Sequence, residues 1–175
     1  MKIELIPYTQ VDGIATMSDS FLMDLYIRTR EEGSDEIVFY DGPMDPQGFV
    51  TLFKLPGNLF FLIEADGEHA GYVWMNGWKE YTATCHFNFF KNVRGNGKAV
   101  DVGKGVVKWL FENMEMVALY GMTPEEYKPT LLFVRAIGMT IIGTLPNAAW
   151  NYRRQQHGGL VISYITRQEV LNDGR

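Results

Sequence analysis

A chain of 175 residues, 46% hydrophobic and 21% charged, is sized for one domain with a real core and does not have the composition of a disordered chain. Its net charge of −5 argues against a general nucleic-acid binder, and apolar runs such as Leu59 to Ile63 are too short to span a bilayer. Glu4, Pro7 and Gln10 interrupt any signal-peptide pattern, and the single cysteine, Cys85, cannot make an internal disulfide, so a reducing cytoplasm is the expected setting.

Lys2 to Ile6 reads as a short strand ending at Pro7. Ser18 to Arg30 carries Phe21, Leu22, Leu25 and Tyr26 at helical spacing, with Asp19 or Ser20 as the cap. Residues 31–43 are acidic, end in Asp41-Gly42-Pro43 and predict an irregular loop. Asp45-Pro46 places a cap and a first-turn proline before Phe49, Leu52 and Phe53, a second helix stopped at Pro56-Gly57. Leu59 to Ala65, the turn Asp66-Gly67 and Ala70 to Met75 form a hairpin. Thr82 to Phe90 is a third strand, in which Cys85 reads as buried and inert.

Residues 97–116 return to helical spacing, with Ala99, Gly103, Val106, Leu110 and Met114 on one face, and Val117 to Tyr120 is a short strand. Thr123-Pro124-Glu125-Glu126 has the capping-box arrangement and predicts a helix running to Gly138. Met139 to Leu145 and Leu160 to Thr166 close the chain as two strands. The order β-α-α-β-β-β-α-β-α-β-β predicts a single α+β domain over residues 1–175: a mixed, mostly antiparallel sheet with helices on both faces.

Charge is unevenly spread. Residues 1–78 hold four Lys/Arg against thirteen Asp/Glu, whereas residues 79–108 hold six against two. A basic segment inside an acidic chain suggests an anionic ligand, the alternative being a solvated basic face. The segment is His86 to Gly105, in which a strand ends near Phe90, a loop carries Arg94, Gly95, Asn96 and Gly97, and a helix begins. Glycine lets the backbone approach a phosphate, the first-turn N–H groups point outward, and the helix dipole adds to the charges of Arg94 and Lys98. No Ser or Thr follows Lys98, which excludes the Walker loop, and the preceding strand belongs to a meander, unlike the dinucleotide fingerprint.

Arg94-Gly95-Asn96-Gly97-Lys98-Ala99 resembles the Arg/Gln-x-x-Gly-x-Gly/Ala signature of the GNAT superfamily of acyl-CoA N-acyltransferases, and the element order is similar to a complete GNAT domain over roughly residues 1–170. Phe133 to Met139 looks like the family's helix-ending segment. Thr144 to Ala148 and Val161 to Arg167 are similar to the closing strands of the ribosomal-protein and antibiotic N-acetyltransferase branch, an ending also found in small phage-encoded members.

The resemblance implies a fold in which two central strands splay around the donor's pantetheine arm. The gap would be edged by Phe87 to Lys91 and by Ala118 to Gly121, with the pyrophosphate on Arg94 to Ala99. The implied cofactor-binding residues are Phe89, Phe90, Lys91, Arg94, Gly95, Asn96, Gly97, Lys98 and Ala99. The implied co-substrate is acetyl-CoA or another acyl-CoA, and the acceptor a small amine or a protein N-terminus that attacks the thioester directly. Deprotonating the amine needs a base or water chain, the departing thiolate benefits from an acid, and a strand N–H holds the oxyanion.

Two positions depart from the family pattern. Val134 stands where many members have the acidic tyrosine, and Tyr127 where many have a cofactor-contacting asparagine. Tyr127 is therefore a candidate acid or a packing residue. His86 shares a strand face with Asn88 and is a candidate base or water anchor, or else a structural histidine. Glu80 is a weaker candidate, and His69 and His157 read as surface residues. No His, Cys, Asp or Glu cluster has metal spacing, so no metal is expected. Three readings follow: an N-acetyltransferase, an idle GNAT-fold protein that binds acyl-CoA or a partner, and a structural protein whose loop is only a turn. Glu31, Glu32, Asp35 and Glu36 suggest a cationic acceptor or else form a solvated loop. No nucleic-acid or membrane partner is expected, and a homodimer is left open.

Overall fold

The computed structural model describes residues 1–95 and 97–172. In chain order the elements are β1 (Ile3–Pro7), β2 (Gln10–Val11), β3 (Ile14–Ala15), α1 (Asp19–Glu31), α2 (Asp35–Val38), α3 (Pro46–Lys54), β4 (Leu59–Ala65) and β5 (Glu68–Lys79). They continue as β6 (Thr82–Phe89), α4 (Lys98–Asn113), β7 (Ala118–Pro124), α5 (Lys128–Ala136), β8 (Thr140–Asn151), β9 (Gln156–Thr166) and α6 (Arg167–Asn172). Seven strands form one sheet in the order β1-β4-β5-β6-β7-β9-β8, and β2 pairs with β3 apart from it. Neighbours in the sheet run antiparallel except β6 and β7, which run parallel because α4 crosses over between them.

Strand alternation divides the core in two. Phe61, Ile63, Val73, Met75 and Cys85 face α4 and α5, where Val102, Val106, Leu110 and Val134 meet them. Phe60, Leu62, Tyr72 and Trp74 face α1 and α3, packing on Leu22, Tyr26, Phe49 and Phe53. Phe49 is fully buried and has its ring against Phe53 at 4.6 Å and Tyr72 at 5.4 Å. Truncating such a ring to alanine costs about 3–5 kcal/mol. Both faces of the central strands are thus covered, as the α+β reading requires.

Several local expectations change. Ser18, rather than Asp19 or Ser20, caps α1 by accepting from the Phe21 N–H at 3.1 Å. The stretch read as loop contains α2. The Thr123-Pro124 capping box does not form: both residues extend β7, and α5 begins at Lys128 with Tyr127 before it. The Glu125 N–H bonds the Gly159 carbonyl at 2.8 Å, so alternate β7 residues turn to β9 and Pro124 turns its missing N–H to the other edge. The last two strands are longer than expected and run on to a hairpin turn at residues 152–155.

Candidate active site

β6 and β7 pair only over Thr82–Thr84 and Ala118–Tyr120. Beyond those residues the strands part, and Cys85 to Phe89 and Gly121 to Pro124 line a cavity of about 420 Å³. The gap's second edge is therefore Gly121 to Pro124, further along β7 than the expected Ala118 to Gly121 and sharing only Gly121 with it. The Phe90 N–H bonds the Ala70 carbonyl on the β5 side at 2.8 Å. By alternation, the peptide groups of Phe87 and Phe89 face the gap, and those of Met122 face it from β7. Such strand edges can take hydrogen bonds from water or from an extended ligand, apart from the Phe89 carbonyl, which already accepts from Arg94.

One wall is aromatic. Phe87 and Phe89 stack at 5.7 Å, and the α5 residue Phe133 meets both rings edge-on at 5.8 and 5.2 Å. Helix α5 comes that close because Gly103 has no side chain: a Cβ there would lie 2.8 Å from Phe133 and Ile137. Val134 is buried on this wall. Phe133 and the wall residues Pro129 and Thr130 were missed in the sequence, where their periodicity carries no sign of a cavity.

At the wide end the loop enters α4 through Gly95 at φ +93° and Gly97 at φ +77°, conformations that side chains rarely adopt. Space around both is open: a Cβ on either would meet nothing within 4 Å. Arg94 Nε donates to the Phe89 carbonyl at 2.6 Å, and its guanidinium lies 3.5 Å from Glu32. The Glu32 carboxylate also accepts from Arg28 Nε at 2.9 Å and from the Lys91 N–H at 2.6 Å. Arg94 thus fastens the loop to β6 and α1. Of the expected cofactor residues, Phe89, Arg94, Gly95 and Ala99 line the cavity. Phe90 is buried under Arg28, 3.8 Å from its ring centre, and Lys91 is exposed, so neither side chain reaches the gap. Gly97 and Lys98 open the helix beside it, and Asn96 lies outside the described residues.

On the side toward α2, His86 and Tyr127 both line the cavity. His86 stacks on Trp74 at 4.5 Å, and its Nε2 lies 3.0 Å from Asn76 Oδ1. With that oxygen accepting, Nε2 carries the proton and Nδ1 keeps its lone pair. Burial pushes the His86 imidazole down to about 4, so the ring is neutral at physiological pH. Asn88, on the same strand face, is buried and donates to Thr29 Oγ1 at 3.3 Å, joining β6 to α1. Tyr127 donates its hydroxyl to the Glu36 carbonyl at 3.0 Å, and burial raises its pKa, with Glu126 adding to the rise.

The acidic run is largely paired. Arg153, at the β8–β9 turn, donates to Asp35 at 2.8 Å and also binds Glu36, while the neighbouring Arg154 binds Glu126. Glu31 is exposed. Glu80 is exposed at the β5–β6 turn, at the closed end of the gap. His69 sits beside Glu64 at 3.3 Å, and His157 packs on Trp150 at 4.8 Å, both away from the cavity. Among the described residues no three His, Cys, Asp or Glu side chains gather as a metal site, and no helix is long and apolar enough to cross a membrane.

The splayed strands, the glycine loop and the crossover helix define the GNAT acetyltransferase fold, and solved structures agree. The spermidine N-acetyltransferase from Vibrio cholerae in complex with CoA and spermine superposes with a TM-score of 0.72 at 15% identity, over 96% of this chain and 98% of that one. A GNAT-family acetyltransferase from Bacillus anthracis gives 0.64 at 13% identity, over 85% and 92%. A probable acetyltransferase gives 0.68 at 12% identity, over 87% and 91%. By sequence, residues 53–173 match the family described as a protein of unknown function, DUF2824, and the chain belongs to it. Compared with curated proteins, the sequence matches none.

Proposed function

We propose that this chain transfers an acetyl or other short acyl group from acyl-CoA to a primary amine. The observation that carries this reading is the parting of β6 and β7 beyond Thr84 and Tyr120, with a glycine loop and helix start at the wide end. The residues fit the donor. Phe87, Phe89 and Met122 offer backbone amides to the pantetheine arm. Phe133 covers it, and the positive end of α4 faces the pyrophosphate beside open glycines. When bound, acyl-CoA supplies an activated thioester carbonyl for the amine to attack.

The chain's own groups then hold the acceptor. The Nδ1 lone pair of His86 accepts a hydrogen bond from the amine and orients it. A neutral imidazole titrating near 4 is a weak base, so water relays the amine's proton outward. Tyr127 keeps its proton at neutral pH and is the acid for the departing thiolate, exchanging the Glu36 carbonyl for the sulfur. A second reading, an acyl-CoA-binding protein without transferase activity, is favoured by Val134 at the position where the fold's relatives often carry tyrosine. Titration calorimetry with acetyl-CoA, followed by release of free CoA in the presence of amines, tests both. Saturable binding that weakens with salt, plus amine-dependent CoA release, is expected. Binding without release favours the second reading, and no binding by the folded protein overturns both.

A further inference from the structure

The acceptor end of the cavity says what kind of amine it receives. It is lined by Ile37 and Val38 from α2 and by Tyr40, Met122, Tyr127 and His86. Among the described residues lining the cavity there is no aspartate or glutamate. The carboxylates of the segments that frame it are paired, Asp35 and Glu36 with Arg153, Glu126 with Arg154 and Asn151, and Glu32 with Arg28 and Arg94, while Asp41, beside Tyr40, is exposed to solvent and does not line the cavity. A second ammonium on the acceptor would enter an apolar pocket without a counter-charge, which is strongly unfavourable. A single amine has what it needs in the one lone pair on His86, and the rings of Tyr40 and Tyr127, which meet edge-to-face at 6.2 Å, give an apolar surface to the group that carries it.

From this, and resting on the acyl-transfer reading above, we infer that the acceptor is a primary amine on an apolar or aromatic group with no second positive charge, and not a polyamine. This separates the chain from the spermine-bound relative that shares its fold. The shared chemistry is found in a small arylalkylamine and in a polypeptide N-terminus whose first side chain is apolar.

The test measures kcat/KM by CoA release for 2-phenylethylamine, for spermidine, and for two hexapeptides differing only in a first residue of Leu or Asp. The expected result is at least a tenfold preference for phenylethylamine over spermidine, or for the Leu over the Asp peptide; whichever pair is turned over identifies the source. In Ile37→Glu, a change at an exposed position on the rim, the phenylethylamine-to-spermidine ratio should fall at least fivefold. Spermidine turned over as well as or better than phenylethylamine, with neither peptide preferred, overturns the inference while leaving acyl transfer standing. Failure of acetyl-CoA to bind in calorimetry instead removes the reading on which it rests.

Discussion

The two ends of the cavity are built from different materials. The loop end is backbone: glycines at positive φ, the first turn of α4 and two strand edges, all within one short stretch of chain plus β7. The end proposed for the acceptor is side chains brought together from α2, β6 and Tyr127, with α2 held by arginine–carboxylate pairs to the distant β8–β9 turn. Backbone sites tolerate little change in shape but leave many side chains free, whereas an assembled site is adjustable one residue at a time.

The sharpest way to break this contrast is at Gly97. Gly97→Glu should weaken acetyl-CoA binding more than about 100-fold in calorimetry, because a carboxylate would stand in open space at the helix start. Gly97→Asn adds no charge and tolerates positive φ, and should cost far less. Equal affinity in Gly97→Glu, with the fold intact by circular dichroism, would remove the loop from the donor site.

At the acceptor end, His86→Ala should lower kcat about tenfold or more while leaving the acetyl-CoA Kd unchanged. His86 also makes a stability prediction. Burial holds its folded pKa at about 4, below the usual 6.5. The unfolded chain therefore binds the proton first as pH falls, so stability is intact above pH 6.5 and declines toward pH 4. His86→Gln should flatten that decline by on the order of 2–3 kcal/mol across the window in denaturant titrations. An unaltered pH profile would mean the ring is not held neutral by burial.

Smaller effects follow from the contacts that frame the pocket. Arg153→Ala should raise the acceptor KM about fivefold with donor binding unchanged, since it frees Asp35 and Glu36 to repel each other and loosens α2. Equal changes in both constants would show that the two ends are not separable. Tyr127→Phe should lower kcat several-fold, and a pH dependence unlike the wild type's distinguishes an acid from a residue that only holds α2 at Glu36.

The contrast also explains what could be read in the sequence. Turns and caps written in consecutive residues were legible: Asp66-Gly67 makes its hairpin with both residues at positive φ, and Asp45 caps α3 by accepting from the Gly48 N–H. The glycine loop was legible for the same reason. Thr123-Pro124-Glu125-Glu126 misled because pairing with β9 overrides local capping, and the proline's missing N–H falls where β6 has already parted. Phe90 misled because the strand's end turns its ring into the core under Arg28. The arginine pairs of the acidic run were invisible, since nothing near Asp35 in sequence announces Arg153.

That last pairing also sets an order of events. Asp35 and Arg153 are 118 residues apart. During synthesis β6, the glycine loop and α4 are all made before the turn that anchors α2 emerges. Contacts of such long sequence separation are slow to form because the intervening chain must first be ordered. A chain cut between Asn151 and Arg153 would keep the loop and lose the fastening of α2, which makes the last hairpin the step that completes the pocket.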